Sequence, residues 1–274
     1  MPKLTEKKIM DLTKDLPSVS KIAVQLVSMI DNPSTTREQV AKLVAQDEYL
    51  FAQCFRHANS AAIASLRQLN TIKDILDVLG FGYIKKAALF VAAKSMIADP
   101  TVWFDSVFVA VAAEYLAKRD GHSVIDSDQI YMAALFQNYG AFVLKSNYPN
   151  IYSKFTGLKD FKIRMKNEQE EFAWTYPAIS ALILKSYGLP DRVIDIISSQ
   201  GRVYTNECQK ANVYIEVGRI FCEFKNQKLD FELIRERLEI DDIKELVINS
   251  GIGLIGIDEN AFTKIADTVA EFAS

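Results

Sequence analysis

Apolar residues recur at intervals of three and four along nearly the whole chain, and no segment shows the strict alternation of a half-buried strand. A spacing of about 3.6 residues places such side chains on one face of a helix. One clear stripe precedes the Asp31-Asn32-Pro33 stop and consists of Val19, Ile22, Ala23, Leu26, Val27 and Ile30. The pattern therefore predicts an all-α protein.

Capping and breaking residues divide this pattern into successive helices. Thr35 with Glu38, and Thr71 with Asp74, have the spacing of capping boxes, which mark the first turn of a helix. Gly80 stands where a helix would need a C-terminal residue with positive φ. A helix over residues 48–58 is expected to face inward with Leu50, Phe51, Cys54, Phe55 and Ala58.

Further helices are predicted after the break at Ala98-Asp99-Pro100. They cover residues 103–119, 128–146, 176–187, 191–199 and 208–224. Residues 150–172 are charged and aromatic and are predicted to contain a mobile connection. The chain thus divides into an N-terminal helical subdomain, a second helical subdomain and a C-terminal helical extension, at residues 1–98, 99–201 and 202–274.

Composition limits the classes of function that are open to the chain. Of its 274 residues, 49% are apolar and 24% are charged, which favours a folded core over disorder. The net charge is -3, without a block of like charges, so we expect no nucleic-acid partner. Apolar runs such as Ala87 to Ala93 end well short of the roughly 18 residues of a membrane span. We therefore expect no membrane partner.

The N-terminus and the cysteines indicate the compartment. The first residues lack the apolar core of a signal peptide. The chain has three cysteines, an odd number, at the widely spaced positions Cys54, Cys208 and Cys222, which is typical of reduced thiols. A cytoplasmic protein is expected.

Several short motifs, taken in order, carry a resemblance to a known family. In the first half they are Leu16-Pro17, Ala45-Gln46-Asp47 with Leu50, Ala58-Asn59-Ser60, and Val78-Leu79-Gly80. In the second half they are Trp103, Ser106, Ala133 to Phe136 with Gly140, and Tyr187-Gly188-Leu189-Pro190. Over roughly residues 14 to 200 the chain resembles the HDOD family.

That family comprises bacterial signalling proteins related to the HD phosphohydrolases and to the HD-GYP cyclic di-GMP phosphodiesterases, and its members frequently lack the metal residues. The resemblance implies an N-terminal helical bundle packed on a degenerate HD-like helical domain. It also implies a regulatory role in signal transduction.

The same resemblance assigns each expected metal-ligand position to a residue of this chain. Carried across one position at a time, these positions fall at Asp105, Gln137, Asn138 and Tyr176, and near Ser199 and Gln200. Every histidine of the expected set is replaced. The two histidines that the chain does contain, His57 and His122, have no partner at metal-ligand spacing.

These replacements bear directly on catalysis. A metal hydrolase needs imidazole nitrogens and carboxylate oxygens that converge on one ion and lower the pKa of bound water from about 16 to about 7. The amides of Gln137 and Asn138 are neutral and are poor ligands for transition metals. Asp105 alone supplies one carboxylate. We therefore predict no metal, no cofactor and no hydrolase activity, which would make the chain a pseudoenzyme.

Two interpretations of the replaced positions remain open. In the first, Asp105, Gln137, Asn138 and Tyr176 form a hydrogen-bonded network that fills the former site. In the second, the pocket is retained for a nucleotide, with Tyr176 against the base and the amides on its polar edges.

Asn59 and Ser60 form a separate candidate. They end a predicted helix and are expected to hold a turn through bonds from side chain to backbone. The family resemblance also makes this turn a candidate surface for a protein partner.

Two hypotheses of function follow from the sequence. The first is a non-catalytic regulatory protein that binds a protein partner in a signalling pathway, with a nucleotide as a further candidate ligand. The alternative is a divergent HD-related metal-dependent phosphohydrolase or cyclic-dinucleotide phosphodiesterase.

Overall fold

A computed structural model of the chain describes residues 3–16, 20–58, 71–120, 126–155, 161–201, 208–224, 236 and 259–273. Within these ranges the regular structure consists of helices and contains no strand. The all-α prediction is therefore confirmed. The chain forms two compact units, residues 17–98 and residues 1–16 with 99–274.

The unit of residues 17–98 is built around one long helix. Its helices are α2 (Lys21–Ile30), α3 (Arg37–Val44), α4 (Glu48–Ala58) and α5 (Ile72–Met96). The first three all contact α5. The buried faces include Ala23, Leu26, Val40, Val44, Leu50, Cys54, Ile84 and Ala88.

The predicted inward face of α4 is wrong for two of its five residues. Phe51 and Phe55 are 36% and 44% exposed and stack on each other at 6.0 Å. The fully buried residues are Leu50, Cys54 and Ala58. These three recur at intervals of four and form one face, while Phe51 and Phe55 lie next to it around the helix. Apolar character alone therefore did not identify the buried side.

The predicted capping boxes have different outcomes. The box of Thr71 and Asp74 is confirmed, since each backbone N–H donates to the other side chain, at 2.8 and 3.2 Å. The first box is one residue later than predicted and is formed by Thr36 and Gln39. The hydroxyl of Thr35 instead donates to the carbonyl oxygen of Met29.

Gly80 has the predicted positive φ, at 73°, with a ψ of 167°. This non-helical conformation separates two helices that meet at a kink within the range of α5. The predicted helix end at Gly80 is therefore confirmed.

In the second unit, helix α6 (Pro100–Asp120) is contacted by α7 (Ser127–Phe136), α13 (Cys208–Glu223) and α14 (Glu259–Ala273). Neighbours on several sides explain why its residues 106–114 are buried without interruption. The smaller helices of this unit are α1 (Glu6–Asp11), α8 (Tyr139–Asn147), α9 (Pro149–Tyr152), α10 (Phe161–Phe172), α11 (Tyr176–Ser186) and α12 (Asp191–Ser198).

Residues 1–16 belong to this second unit, whereas the sequence pattern placed them in the N-terminal subdomain. The backbone N–H of Leu4 donates to the carbonyl of Phe172 at 2.8 Å. The Leu4 carbonyl accepts from Nε1 of Trp174 at 3.0 Å. Such pairing of residues far apart in the chain leaves no periodic signal in the sequence.

Two segments differ from their sequence predictions in a way that builds the site. The helix predicted over residues 128–146 is interrupted at Gln137 and Asn138, between α7 and α8. The segment expected to contain a connection includes α10, a helix that was not predicted from the sequence.

Candidate functional site

The break between α7 and α8 is held by Ser180 of α11. Its Oγ accepts from the backbone N–H of Gly140 at 2.7 Å and lies 2.7 Å from the carbonyl oxygen of Gln137 and 3.0 Å from that of Tyr176. A Cβ atom on Gly140 would lie 2.1 Å from the Tyr176 carbonyl oxygen, so only glycine permits this approach. The result is that Gln137, in the break, and Tyr176, on α11, are brought together.

Three of the predicted site residues meet at the guanidinium of Arg219, on α13. Its Nη2 donates to Oε1 of Gln137 and, at 2.6 Å, to Oε1 of Gln200. The same nitrogen lies 3.3 Å from the hydroxyl of Tyr176. A permanent cation thus contacts three positions that the HD resemblance assigns to metal ligands.

Two further groups fix the guanidinium. Glu216, one turn earlier on α13, accepts from Nη1 at 2.6 Å. The ring of Phe161 lies 4.1 Å from Cζ, a cation–π distance. The Arg219 side chain retains 17% of its exposure, so one edge of the site reaches solvent.

Two other predicted residues also find partners on α13. The Cys222 thiol lies 3.6 Å from Oδ1 of Asp105, and burial raises the pKa of Cys222 to about 12, so the thiol is the donor. Asn212 donates through Nδ2 to Oγ of Ser199 at 2.8 Å. This helix therefore carries three side chains that face the candidate positions, although it falls in the segment predicted to be a C-terminal extension.

Asn138 is the sixth candidate, and its amide turns another way from that of Gln137. It donates through Nδ2 to Oγ of Ser106 at 3.2 Å. The contacts of Gln137 and Tyr176 are thus centred on Arg219, a residue absent from the predicted network.

The hydrogen bonding of the site is incomplete within the described part of the chain. Nε2 of Gln137, Nε2 of Gln200 and Oδ1 of Asn212 are buried and have no partner there. The amide orientations are fixed, because Arg219 can only donate and must therefore face the two Oε1 atoms.

A second buried network supports Tyr176 from the other side. Glu168 is fully buried, and its Oε1 accepts from the hydroxyl of Tyr152 at 3.0 Å and from Nε of Arg164 at 3.1 Å. Its Oε2 accepts from the backbone N–H of Tyr176 at 2.8 Å. The side chain of Thr175 makes no cap hydrogen bond, so Glu168 satisfies the first donor of α11 in its place.

Burial is the largest influence on the pKa of Glu168 in this network. Desolvation raises the pKa of Glu168, with Arg164 and the hydrogen bonds acting in the opposite direction. Cζ of Arg164 lies 4.4 Å from the centroid of the Tyr176 ring. Tyr176 therefore contacts one guanidinium through its ring and another through its hydroxyl.

The residues present do not fit the metal ion that the HD resemblance implies. The amide oxygens of Gln137 and Gln200 are engaged by Arg219, and their remaining amide atoms are donors. A metal cation requires acceptors and would be repelled by the adjacent guanidinium. Among the described residues, no group of three His, Cys, Asp or Glu side chains is placed to hold a metal ion.

Sequence reasoning missed Arg219, and one signal could have found it. Arg219 lies between Val217 and Ile220 in an apolar helix that is buried on most sides. A charged residue in such a helix needs a buried partner. Asn59 and Ser60 lie outside the described residues, so their predicted role remains a prediction.

The comparisons with known proteins identify the family. The family model described as HDOD domain matches residues 16–203, which is more than half of the chain. This chain therefore belongs to the HDOD family, as its motifs predicted. An uncharacterized protein of Treponema pallidum (strain Nichols) is 21% identical over 196 residues, which cover 69% of this chain and 38% of that relative.

Solved structures show the same fold. An HDOD domain protein of unknown function from Geobacter sulfurreducens matches with a TM-score of 0.69 and 19% identity, over 97% of this chain and 96% of that one. A Shewanella amazonensis SB2B protein, provisionally named a phosphohydrolase, matches with a TM-score of 0.67 and 18% identity, over 97% and 96%. A Marinobacter aquaeolei VT8 protein, provisionally named a signal transduction protein, matches with a TM-score of 0.64 and 19% identity, over 98% and 62%.

None of the helices in the described ranges has both the length and the apolar character needed to cross a bilayer.

Proposed function

We propose that this chain is a non-catalytic HDOD protein that acts in signal transduction by binding a protein partner. Membership of the HDOD family and the provisional name of the Marinobacter relative, a signal transduction protein, support the signalling role. The observation that carries the non-catalytic part is the Arg219 guanidinium on the amide oxygens of Gln137 and Gln200.

The positive charge of Arg219 opposes the binding of a catalytic metal ion at this site. A metal ion about 4 Å from a guanidinium would be repelled by roughly 4 kcal/mol per unit of its charge at an effective dielectric constant of about 20. Metal hydrolysis instead needs anionic or imidazole ligands that acidify bound water. The arginine thus supplies a positive charge where a metal ion would otherwise bind, but it provides no site for water activation.

The alternative is a divergent phosphohydrolase, the activity for which the Shewanella relative is provisionally named. At 18% identity that similarity concerns the fold alone. The contacts of Arg219 include amides, aromatic rings and its ion-pair partner Glu216, and no cluster of the described residues is placed to hold a metal. The regulatory function is therefore favoured.

Metal analysis and activity assays test the non-catalytic part. The purified protein, incubated with Mn²⁺, Fe²⁺ or Zn²⁺ and then desalted, should retain much less than one metal ion per chain. It should also leave cyclic dinucleotides and phosphomonoesters unhydrolysed. Stoichiometric metal together with turnover that is lost in Gln137→Ala would overturn the proposal.

Affinity capture followed by mass spectrometry tests the partner. One protein should be recovered reproducibly with the wild-type chain, and Asn59→Ala should reduce its recovery while the circular dichroism spectrum is unchanged. Gln25→Ala, at an exposed position of α2, is the control and should leave recovery unaltered. Capture that yields no reproducible protein after crosslinking would contradict a role through a partner.

A further inference from the structure

The two carboxamides beside Arg219 present donors that no described residue accepts. Gln137 is fully buried and Gln200 is 3% exposed, yet Nε2 of each lacks a hydrogen-bond partner among the described residues. Each of these nitrogens carries two N–H groups. A buried donor without an acceptor is unfavourable in free energy, and native proteins contain few of them. An acceptor from outside the described chain would remove this penalty.

Arg219 determines which end of each amide is available. Because both Oε1 atoms bind the same Nη2, both NH₂ groups are turned away from the guanidinium. The NH₂ group is the positive end of the amide dipole, and a hydrogen bond from a cation to the amide oxygen polarises the amide further. The two NH₂ groups are therefore stronger donors than isolated amides.

The two NH₂ donors favour a negatively charged ligand over a positively charged one. A cation would meet N–H groups, whereas the charged oxygens of an oxyanion accept hydrogen bonds and strengthen each one through their charge. Glu216 occupies Nη1 of Arg219, which is not the nitrogen that holds the two amides. The Arg219 side chain is 17% exposed, whereas both Nε2 atoms are buried, so an anion reaches these donors only when neighbouring side chains move.

We propose that Gln137 and Gln200, oriented by Arg219, bind the oxyanion of a phosphate group. The phosphate is either free inorganic phosphate or the phosphate of a nucleotide. This inference rests on the proposed function, because it requires the Arg219 site to be free of metal. The site then keeps its position in the HDOD fold and binds an anion where a hydrolase would bind a cation.

Binding of inorganic phosphate to the full chain tests the inference, by calorimetry at constant ionic strength. Gln200→Glu keeps an oxygen for Arg219 but replaces the NH₂ donor with a negative oxygen. We expect it to weaken phosphate binding at least roughly tenfold, because it removes one charge-assisted hydrogen bond and adds repulsion between the glutamate and the phosphate. Gln25→Glu makes the same charge change at an exposed position and should bind phosphate as the wild type does.

Each outcome decides the inference. Saturable binding that Gln200→Glu weakens and Gln25→Glu preserves supports it, and Gln137→Glu replaces the first variant if that one does not fold. Repeating the titration with GMP identifies the source, since GMP binding tighter than phosphate indicates a nucleotide and weaker binding indicates free phosphate. Wild-type protein that binds neither, or equal binding by the glutamate variants, overturns the inference.

Metal content measured on the same samples separates this inference from the proposed function. Metal-free protein that binds no phosphate overturns only the oxyanion site. Stoichiometric metal with turnover overturns both.

Discussion

The carboxylate of Glu168 accepts a hydrogen bond from the backbone N–H of Tyr176 at 2.8 Å, at the first residue of α11. Glu168 also binds Arg164, whose guanidinium faces the Tyr176 ring. One buried carboxylate thus satisfies a helix terminus and orients a residue that contacts Arg219. Replacement of Glu168 should therefore change both the stability of the fold and the arrangement of the residues around Arg219.

Glu168 should make a distinct contribution to the pH dependence of stability. Burial raises its folded-state pKa above the ordinary value of 4.5, so the folded chain holds this proton more tightly than the unfolded chain. The contribution is fully favourable below pH 4.5 and is lost as pH rises through the folded-state pKa. Glu168→Gln should remove this decline in the free energy of unfolding.

Urea unfolding of wild type and Glu168→Gln from pH 4 upward measures the difference. The two proteins must be compared with each other because Asp99, whose pKa is lowered by Lys145, makes the free energy of unfolding change with pH in the opposite direction in both of them. Glu170→Gln, at an exposed carboxylate, is the control. Parallel curves for wild type and Glu168→Gln would contradict the assigned direction.

Gly140→Ala should be strongly destabilising. The new Cβ would lie 2.1 Å from the Tyr176 carbonyl oxygen and 2.8 Å from the Ser180 nitrogen, and both are backbone atoms that cannot rotate away. We expect a loss of about 3 kcal/mol in the free energy of unfolding, in the range of severe overpacking.

Gly82→Ala is the matched control, since no atom beyond its chain neighbours and its own helix backbone lies within 4 Å of the added Cβ, and φ is not positive there. Helix propensity predicts that this variant is more stable by about 0.5 to 1 kcal/mol. Similar midpoints in chemical unfolding for Gly140→Ala and wild type would show that α8 and α11 are not in such close contact.

Local patterns predicted much of the fold but only part of the site. The capping box of Thr71 and Asp74 depends on residues three apart, and the positive φ of Gly80 depends on one residue, so both were found from sequence. Arg219 is 82 residues from Gln137 in the chain. No helical period connects such distant partners, and tertiary packing alone determines which buried amide faces which cation.

Ser180→Ala should weaken the helix break without a clash. Removing the hydroxyl leaves the buried N–H of Gly140 without its acceptor, at 2.7 Å in the wild type. The expected loss is about 1 to 3 kcal/mol, the cost of an unpaired buried donor. Ser198→Ala, which removes an exposed hydroxyl on α12, should change the unfolding free energy by less than about 0.5 kcal/mol. Equal stability of the two variants would indicate that Ser180 does not hold the break.

Arg219→Met tests whether the guanidinium organises the site. It leaves the oxygens of Gln137 and Gln200 without their donor and Glu216 without its partner, so we expect a loss of about 3 kcal/mol in unfolding free energy. Arg219→Lys retains the charge but not the planar fork that reaches several acceptors, and should lie between wild type and Arg219→Met. Arg56→Met, at an exposed arginine of α4, should be nearly neutral. A wild-type unfolding midpoint for Arg219→Met would mean that the amides are held in place by packing and that the cation is not their organiser.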